Sequence, residues 1–343
     1  MWSGSQVGCE AIDSRAPRAS HRAMTRILIH THAPQRHIAA LTERFPDLQV
    51  DATTRNSELG PKLADFQPDA LFTVNITSDA PFPREDVLSC DSLRWVSVGG
   101  SGTDHVNPWD PGKLTVTNSA GVAAGMMAEY ALGAFIHFNI DVPGLMRDQT
   151  AKIWDKDRKV RPLAGQTLLV VGLGHTGRTL AQKAKALGMT VIGTRANPRA
   201  TAHCDEVHGA DTLPQLWPRA DFIAICTPRL PSTRGLVNAA SFALMKPGAV
   251  LVNVGRGGVV DEPALIAALQ ENRLMGAAMD VFATEPLPKE DPIWGAPNLL
   301  ISPHCSAVYD GWERASVAMF ADNIARFLAD EPLQNIVDPA RGY

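Results

Sequence analysis

Three ionisable residues of types that perform acid–base and anion-binding chemistry are Arg256, Glu285 and His304. Each follows a short apolar run that is typical of a buried strand. These runs cover residues 249–254, 275–281 and 299–302. Because the carboxyl ends of parallel strands meet at one edge of an open α/β sheet, we expect the three side chains to converge there. Taken singly, each has an ordinary alternative as a solvated charge, a turn residue or a capping group, so the shared edge is what indicates a site.

An imidazole, a carboxylate and a guanidinium in one cleft suit the reduction of a ketone. A hydride that reaches the carbonyl carbon leaves charge on the carbonyl oxygen, and His304, with an ordinary pKa of about 6.5, can donate the proton that this oxygen needs. The Glu285 carboxylate favours the imidazolium form of His304 and therefore raises its pKa. Arg256 stays charged and can hold a carboxylate in a charge-assisted contact worth about 1.5–3 kcal/mol. These residues predict a small-molecule 2-keto acid as the substrate.

Three glycines, Gly172, Gly174 and Gly177, have the spacing G-x-G-x-x-G and indicate the source of the hydride. An apolar run precedes them, and a helix-type pattern and a second apolar run follow; these cover residues 168–171, 178–187 and 191–192. In such a unit the first glycine permits a tight turn, the second admits a pyrophosphate and the third lets helix and strand pack closely. The N–H groups at the start of the helix face the phosphate charge. The order of these elements predicts a dinucleotide site rather than a flexible glycine loop.

The end of the second apolar run indicates which dinucleotide binds. Enzymes that use NAD carry an Asp or Glu at this point for the ribose 2′-hydroxyl, whereas this chain has Thr194 and Arg195, with Arg199 close behind. A carboxylate would repel a 2′-phosphate, and a guanidinium offers it a bidentate contact. We therefore favour NADP(H) as the cofactor. NAD(H) is the alternative if Arg195 is only a solvated residue at the end of a strand.

Strand-type and helix-type patterns alternate along the chain, which predicts an α/β fold of two doubly wound parallel-sheet domains, Rossmann-like or flavodoxin-like, with a cleft between them. The substrate domain is expected to contain residues 24–118 and 308–343, and the dinucleotide-binding Rossmann domain residues 119–307. A helix over residues 314–328 is expected to cross back to the first domain. The polar residues 1–23 are expected to be a disordered leader.

A glycine-rich turn, Val98-Gly99-Gly100, ends the strand-type run over residues 93–98. It therefore lies at the carboxyl end of a strand, where open α/β sheets bind ligands. Backbone N–H groups in such a turn can bind a carboxylate, although an ordinary glycine loop would have a similar sequence. We expect this turn to bind the substrate.

The composition is that of a globular protein without a nucleic-acid or membrane partner. The chain has 343 residues, of which 45% are hydrophobic and 20% are charged, and its formal net charge is -4. This charge gives no electrostatic reason to expect nucleic acid, and no apolar run is long enough to cross a bilayer. The five cysteines are scattered without C-x-x-C spacing. They predict free thiols in a cytoplasmic protein and no disulfide or metal site.

Four motifs occur in order: the glycine motif at 172–177, NVGRGGVVDE at 253–262, DVFATEP at 280–286 and SPH at 302–304. From about Met24 to its C-terminus, the chain resembles the D-isomer-specific 2-hydroxyacid dehydrogenase family. Arg195 makes it similar to the glyoxylate and hydroxypyruvate reductases of that family. The resemblance implies that Arg256 binds and polarises the substrate, that His304 is the acid/base and that Glu285 orients His304. It also implies a homodimer.

The resemblance further assigns residues around the cofactor. The backbone of His175 and Thr176 is expected to meet the pyrophosphate, and Asp280 is expected to lie near the nicotinamide carboxamide. The other residues expected to line the cofactor site are Gly172, Gly174, Gly177, Arg195, Arg199, Thr227, Pro228, Val254 and Gly255. Thr227 departs from the pattern, since many relatives carry His before this proline. The same resemblance implies that Val98, Gly99 and Gly100 hold the substrate carboxylate.

The sequence thus predicts an NADPH-dependent reductase of a small 2-keto acid, with glyoxylate and hydroxypyruvate favoured, that forms the D-2-hydroxy acid. One alternative is a reductase of a larger 2-keto acid, such as 2-ketogluconate or phenylpyruvate. In that case Tyr309 and Trp312 would line the pocket instead of packing against a helix or a second subunit. Another alternative is a nucleotide-sensing binding protein like the related corepressors, which the complete set of three ionisable residues disfavours.

Overall fold

Two parallel β-sheets organise the chain, as the sequence predicts. The structure is a computed structural model that describes residues 24–74 and 79–341. The leader expected at residues 1–23 lies outside these described residues. Within the described residues, five strands form the first sheet and seven form the second, so the predicted architecture of two parallel α/β domains is confirmed.

The first sheet contains β1 Arg26–His30, β2 Gln49–Thr53, β3 Ala70–Thr73, β4 Trp95–Val98 and β5 Thr115–Asn118. Its order is β2-β1-β3-β4-β5, and all neighbouring strands are parallel. Parallel strands need crossover connections, which are usually helices. The helices that follow β1, β2 and β3 are α1 Pro34–Arg44, α2 Asn56–Phe66 and α3 Arg84–Leu88. β3 and β4 are buried along their whole length, which explains their largely apolar sequences.

The second sheet contains β6 Thr167–Val171, β7 Thr190–Thr194, β8 Glu206–His208, β9 Phe222–Ile225, β10 Ala249–Asn253, β11 Leu274–Met279 and β12 Leu299–Ile301. Its order is β12-β11-β10-β9-β6-β7-β8. Because β6 lies between β7 and β9, the winding of the sheet changes direction there. The crevice outside the carboxyl ends of β6 and β9 is the topological switch point at which such sheets bind ligands.

Six helices of the described chain accompany the second sheet: α4 Ala124–Asn139, α5 Val142–Ala151, α6 His175–Ala186, α7 Leu213–Leu216, α8 Ala239–Leu244 and α9 Glu262–Gln270. The apolar helix α4 buries Ala128, Ala131 and Phe135 against this sheet, and the Phe135 ring lies 5.0 Å from that of Phe222. None of the described helices, α4 included, combines the length and apolar character needed to cross a membrane.

The last helix, α10 Trp312–Ala329, packs on the first sheet although it follows the second sheet in sequence. The ring of Phe320 lies 5.0 Å from the rings of both Phe72 and Trp95, and Phe320 is fully buried. Buried aromatic rings of this size contribute much of the stability of a core. The chain therefore passes between the sheets twice, once before α4 and once before α10.

The two crossings lie against each other. The Tyr309 hydroxyl donates a hydrogen bond to the Val122 carbonyl oxygen at 3.3 Å, which links the crossing before α10 to the crossing before α4. Trp312 packs against the core cluster of the first sheet. Trp312 is thus engaged in packing, which was one of the two interpretations of these aromatic residues, whereas Tyr309 is shown to form a hydrogen bond.

Four of the described helices, α2, α3, α5 and α8, were not predicted from the sequence, and two of these, α2 and α5, contain residues that normally interrupt helices. Helix α2 carries Gly60 and Pro61 in its middle, yet it forms because Leu59 and Leu63 are buried in the core. Helix α5 has a proline in its first turn, where proline is tolerated. Helix α6 begins at His175, three residues before the predicted start, because Gly174 serves as its N-cap.

Candidate active site

The imidazole of His304 and the carboxylate of Glu285 form a hydrogen bond, with 2.8 Å between Nδ1 and Oε2. We refer to these two residues as the acid–base pair. His304 lies just beyond β12 in a left-handed backbone conformation, with a φ of 53°. This conformation is uncommon for residues that have a side chain. A hydrogen bond of 2.9 Å from the His304 N–H to the Asp280 carbonyl oxygen holds it in place.

The two charges of the acid–base pair stabilise each other. The hydrogen bond with Glu285 raises the pKa of His304 above its ordinary value of 6.5, although burial acts in the opposite direction. Burial alone would raise the pKa of Glu285, but the hydrogen bonds from His304 and the Phe282 N–H together lower it below 4.5. The stabilisation from His304 is complete below pH 6.5 and is lost as the pH rises through its raised pKa. That from Glu285 is complete above pH 4.5 and is lost as the pH falls through its lowered pKa.

The loop that carries His304 is anchored by the carboxylate of Asp280, which is 1% exposed. Oδ1 of Asp280 accepts hydrogen bonds from the Ser302 hydroxyl at 2.6 Å and the Cys305 N–H at 2.9 Å. Oδ2 accepts one from the Ser306 N–H at 3.1 Å. A carboxylate can be buried only when such hydrogen bonds replace its hydration. Asp280 therefore fixes the shape of this loop, and its expected position near the nicotinamide stays a prediction.

Glu262 holds the loop that carries Glu285, a function that the sequence analysis missed. Oε1 of Glu262 accepts a hydrogen bond from the Ala283 N–H at 2.7 Å. The Phe282 N–H donates to Oε1 of Glu285 itself at 2.8 Å. Burial raises the pKa of Glu262. The signal available in the sequence was the pair of acidic residues at the start of α9. Asp261 alone caps the helix, so the second acid, Glu262, has another role.

Arg256 follows β10 and reaches the turn after β4 of the first sheet. Its Nε lies 3.6 Å from Oδ2 of Asp104, and a Cβ placed on Gly102 would collide with its guanidinium. The positive charge of Arg256 acts to lower the pKa of each member of the acid–base pair. The three ionisable residues follow β10, β11 and β12, which are parallel neighbours, so they lie at one edge of the second sheet, and their convergence in one cleft stays a prediction. Asp104 was not predicted.

The glycine-rich turn after β4 offers fewer free N–H groups than its sequence suggests. Val98 is buried within β4, and the Gly99 N–H donates to the Thr73 carbonyl oxygen at 2.8 Å. By contrast, the N–H groups of Gly100 and Ser101 donate to no acceptor in the described part of the chain. Of the three residues of this turn that were predicted to bind substrate, only Gly100 therefore presents a free backbone donor within the described residues, and Ser101 presents another.

The glycine motif forms a tight turn between β6 and α6. Gly172 has a φ of 104°, which is strained for any residue with a side chain, and a Cβ on Gly177 would collide with the Gly172 carbonyl oxygen. Gly174 is the N-cap of α6 and faces open space. No side chain caps this helix. The first N–H groups of α6, which include those of His175 and Thr176, are therefore available to a phosphate.

Three strand ends of the second sheet meet beside this turn. A Cβ on Gly172 would lie 2.9 Å from the Cys226 carbonyl oxygen, and one on Gly255 would lie 2.6 Å from the Thr227 carbonyl oxygen. The Thr227 hydroxyl is buried and has no hydrogen-bond partner among the described residues. An unpaired buried hydroxyl is costly, and a bound dinucleotide would supply a partner, so the residues present fit this cofactor. The neighbouring positions predicted to line the site are Pro228 and Val254.

Two arginines follow β7 at the position that identifies the cofactor. Arg195 is half-buried and Arg199 is exposed. The acidic residues that follow them are paired with other cations; the pairs are Asp205–Lys185 and Glu206–Arg219. The guanidiniums of Arg195 and Arg199 form no ion pair within the part of the chain that the structure describes. Two uncompensated positive charges therefore lie beyond β7.

We predict that removal of the Glu285 charge lowers the pKa of His304. In Glu285→Gln the imidazolium loses its charged hydrogen-bond partner while the effect of burial remains, so its pKa is expected to fall from above 6.5 to 6.5 or below. The measurement is an NMR titration of the His304 ring protons, assigned with His304→Asn. Glu290→Gln, a change at an exposed acid outside the pair, is the control. An unchanged His304 pKa in Glu285→Gln would contradict the prediction.

Known proteins resemble this chain over most of its length. A D-3-phosphoglycerate dehydrogenase of Methanocaldococcus jannaschii is 31% identical over 303 residues, which cover 87% of this chain and 56% of that protein. A Haemophilus influenzae protein named as a 2-hydroxyacid dehydrogenase is 30% identical over 266 residues, which cover 74% of this chain and 83% of that protein. This chain thus spans about half the length of the archaeal relative and most of the bacterial one.

A solved structure shares the fold. An NADPH-dependent glyoxylate/hydroxypyruvate reductase from Sinorhizobium meliloti, in complex with NADP and sulfate, matches with a TM-score of 0.78 and 27% identity, over 93% of this chain and 100% of that chain. Residues 132–306 match the family described as D-isomer specific 2-hydroxyacid dehydrogenase, NAD binding domain, which supports a nicotinamide cofactor. The chain therefore belongs to the D-isomer specific 2-hydroxyacid dehydrogenase family, which is a family of oxidoreductases.

Proposed function

We propose that this protein uses NADPH to reduce a small 2-keto acid, with glyoxylate and hydroxypyruvate as the favoured substrates, to the D-2-hydroxy acid. The observation that carries the proposal is the 2.8 Å hydrogen bond between His304 and Glu285 at the sheet edge that also carries Arg256. Reduction of a 2-keto acid needs a proton donor for the carbonyl oxygen and a cation for the carboxylate. These three residues provide both, together with a carboxylate that tunes the donor.

His304 is the proton donor in this proposal. Its Nδ1 is engaged by Glu285, so the proton for the carbonyl oxygen comes from Nε2. The raised pKa of His304 keeps the imidazolium populated near neutral pH. After the transfer, the neutral ring keeps its remaining proton on Nδ1, because the hydrogen bond to Glu285 selects that tautomer. In the oxidative direction the same Nε2 accepts the proton.

The substrate carboxylate is bound from both sides of the cleft. The guanidinium of Arg256 lies against Gly102, and the free N–H groups of Gly100 and Ser101 belong to the same turn. A carboxylate between them receives charge-assisted hydrogen bonds from a side chain of the second sheet and from the backbone of the first. Such double contact orients the keto group relative to the acid–base pair.

The glycine turn, the start of α6 and the Thr227 hydroxyl hold the dinucleotide, which supplies the hydride when it is bound. Arg195 and Arg199 bind the 2′-phosphate, since neither is neutralised within the described chain and no acidic residue ends β7. The NADP in the structure of the Sinorhizobium meliloti reductase supports this preference. The name of that relative also supports a small substrate, as does the packing of Trp312 against the core of the first sheet.

The homodimer is proposed to form through an exposed apolar surface around α5. Six large apolar side chains of this region are exposed, of which Trp154 is the most accessible at 93%; the others are Ile136, Leu145, Met146, Ile153 and Val160. Contiguous exposed apolar side chains are typical of an interaction surface, and these six come from one stretch of the chain, residues 136–160. Arg158 forms ion pairs with Asp141 and Asp148, which fix the segment that carries Trp154.

We also place the protein in the cytoplasm, in keeping with the free thiols of Cys90, Cys204, Cys226 and Cys305.

The first prediction of this function is turnover with NADPH and a series of 2-keto acids. We expect the highest kcat/KM with glyoxylate or hydroxypyruvate, and we expect kcat/KM for reduction to fall as the pH rises through the raised pKa of His304. His304→Asn is expected to reduce kcat by about 100- to 10,000-fold, the usual contribution of a positioned proton donor. The affinity for NADPH, measured by fluorescence, is expected to stay close to that of the unchanged protein.

His137→Asn, a change on α4 outside the cleft, is the control for this experiment. Its kinetic constants are expected to match those of the unchanged protein. Absence of NADPH oxidation with every 2-keto acid would overturn the proposed reaction. Near-normal turnover by His304→Asn would remove His304 from the mechanism while leaving the reaction itself intact.

The second prediction concerns the cofactor. Arg195→Asp replaces a cation that binds the 2′-phosphate with an anion that repels it, so the ratio of kcat/KM with NADPH to that with NADH is expected to fall about 10- to 100-fold. The measurement is initial-rate kinetics with both reduced cofactors. Arg36→Asp makes the same change of charge on α1 and is expected to leave the ratio unchanged. An unaltered ratio in Arg195→Asp would exclude the assigned role of Arg195.

The third prediction concerns the dimer. Sedimentation equilibrium of the unchanged protein is expected to give twice the mass of one chain, and Trp154→Glu is expected to give the mass of one chain at the same concentration, because a buried unpaired charge is costly. Trp294→Glu alters another exposed tryptophan, at 52% exposure, and is expected to remain a dimer. A monomeric unchanged protein, or a Trp154→Glu dimer of normal stability, would contradict this interface.

A further inference from the structure

The turn that is proposed to bind the substrate carboxylate has its carbonyl groups held from within the protein. The Gly99 carbonyl oxygen accepts a hydrogen bond from the Ser316 hydroxyl at 3.0 Å. The Gly100 carbonyl oxygen accepts one from the Ser119 N–H at 2.9 Å, and that of Ser101 accepts one from the Asn118 side chain at 2.9 Å. Three consecutive carbonyl groups are therefore bound on the protein side of the turn.

This arrangement leaves the N–H groups of the turn for a ligand. The N–H groups of Gly100 and Ser101 have no acceptor in the described part of the chain, and a Cβ placed on Gly100 would meet no atom within 4 Å. The guanidinium of Arg256 lies directly beyond, against Gly102. Backbone donors that point into such a space form an anion-binding site. The direction of these donors depends on what holds the carbonyl groups behind them.

Two buried serines from distant parts of the chain position the carbonyl group of Gly99. Ser316 belongs to α10 and is completely buried, and Ser119 lies in the crossing before α4 and is 4% exposed. Their hydroxyl oxygens are 3.0 Å apart, and the Ser119 hydroxyl also lies 3.2 Å from the Val98 carbonyl oxygen. Two hydroxyl protons serve three contacts, since each hydroxyl donates only once. Ser316 donates to the Gly99 carbonyl oxygen, and the single proton of the Ser119 hydroxyl is shared between the Val98 carbonyl oxygen and the Ser316 hydroxyl.

We propose that Ser316, supported by Ser119, is a positioning residue for the substrate carboxylate, a role that rests on the proposed function. Ser316 touches neither substrate nor cofactor and acts through the Gly99 carbonyl group. With this hydroxyl removed, the buried carbonyl loses its partner and the turn rotates to seek another, which turns the adjacent N–H groups away from the carboxylate. The effect is specific to the anion because Arg256 and the acid–base pair belong to the second sheet and are not held by Ser316.

The test is the kinetics of Ser316→Ala. We expect KM for glyoxylate or hydroxypyruvate to rise about tenfold, the equivalent of about 1.4 kcal/mol, with kcat and the affinity for NADPH within twofold of the unchanged protein. Inhibition by oxamate, an unreactive carboxylate of similar shape, is expected to weaken by the same factor. Ser316→Thr keeps the hydroxyl and is expected to restore KM. Ser119→Ala is also expected to raise KM. The KM of the double variant is expected to be only slightly higher than that of Ser316→Ala, since both residues act through one set of linked hydrogen bonds.

Ser241→Ala is the matched control, because Ser241 is also buried and its hydroxyl donates to the Leu236 carbonyl oxygen at 3.2 Å, away from the cleft. Its KM is expected to be unchanged. An unchanged KM in both Ser316→Ala and Ser119→Ala would overturn the proposal. A rise in KM that is matched by equal losses of kcat and cofactor affinity, and that follows a loss of thermal stability, would also overturn it. If the unchanged protein turns over no 2-keto acid, the proposed function fails. The anion site is then tested separately, by measuring whether Ser316→Ala weakens the binding of oxamate. An oxamate affinity that Ser316→Ala leaves intact would overturn the proposal in that case too.

Discussion

The carboxylate of Asp280 is the group on which the geometry of the candidate active site depends. It is almost completely buried, and the free energy of burying it is offset only because Ser302, Cys305 and Ser306 all donate to it. The Ser302 hydroxyl is in turn 2.7 Å from the hydroxyl of Tyr130 on α4. This network ties the end of β12 to β11 and to the helix behind the sheet. The left-handed backbone conformation of His304 is stabilised by that network and by the hydrogen bond to the Asp280 carbonyl group.

The electrostatic balance of the cleft follows from this rigid frame. The acid–base pair is mutually stabilising between the lowered pKa of Glu285 and the raised pKa of His304, so the imidazolium and the carboxylate coexist near neutral pH. Arg256 opposes the protonation of His304 but favours the ionisation of Glu285. Its own contact with Asp104 is long at 3.6 Å and involves a carboxylate that is more than half exposed, so solvent screens it strongly. The guanidinium therefore keeps most of its capacity to bind an anion.

The path of the chain explains how the two sheets cooperate in one site. The chain passes from the first sheet to the second before α4 and returns before α10, and the Tyr309–Val122 hydrogen bond joins these crossings. Ser119 lies in the first crossing, and Ser316 lies near the start of the returning helix. Both hydroxyls meet behind the turn after β4, while Arg256 reaches the same turn from the front. The segments that connect the two sheets thus also shape the turn that we propose to bind the substrate.

The amino-acid sequence by itself determined the parallel α/β fold, the dinucleotide turn and the shared edge of Arg256, Glu285 and His304. These depend on local patterns and on one topological rule, that parallel strands end on the same side. It did not reveal α2, whose Gly60 and Pro61 disfavour a helix that burial of Leu59 and Leu63 enforces. Nor did it reveal Glu262, Asp104, Ser119 or Ser316, which are ordinary polar residues in their local contexts. Only the tertiary structure decided their partners, because a hydrogen bond between residues about two hundred positions apart is set by packing of the whole chain and leaves no periodicity or spacing in the sequence.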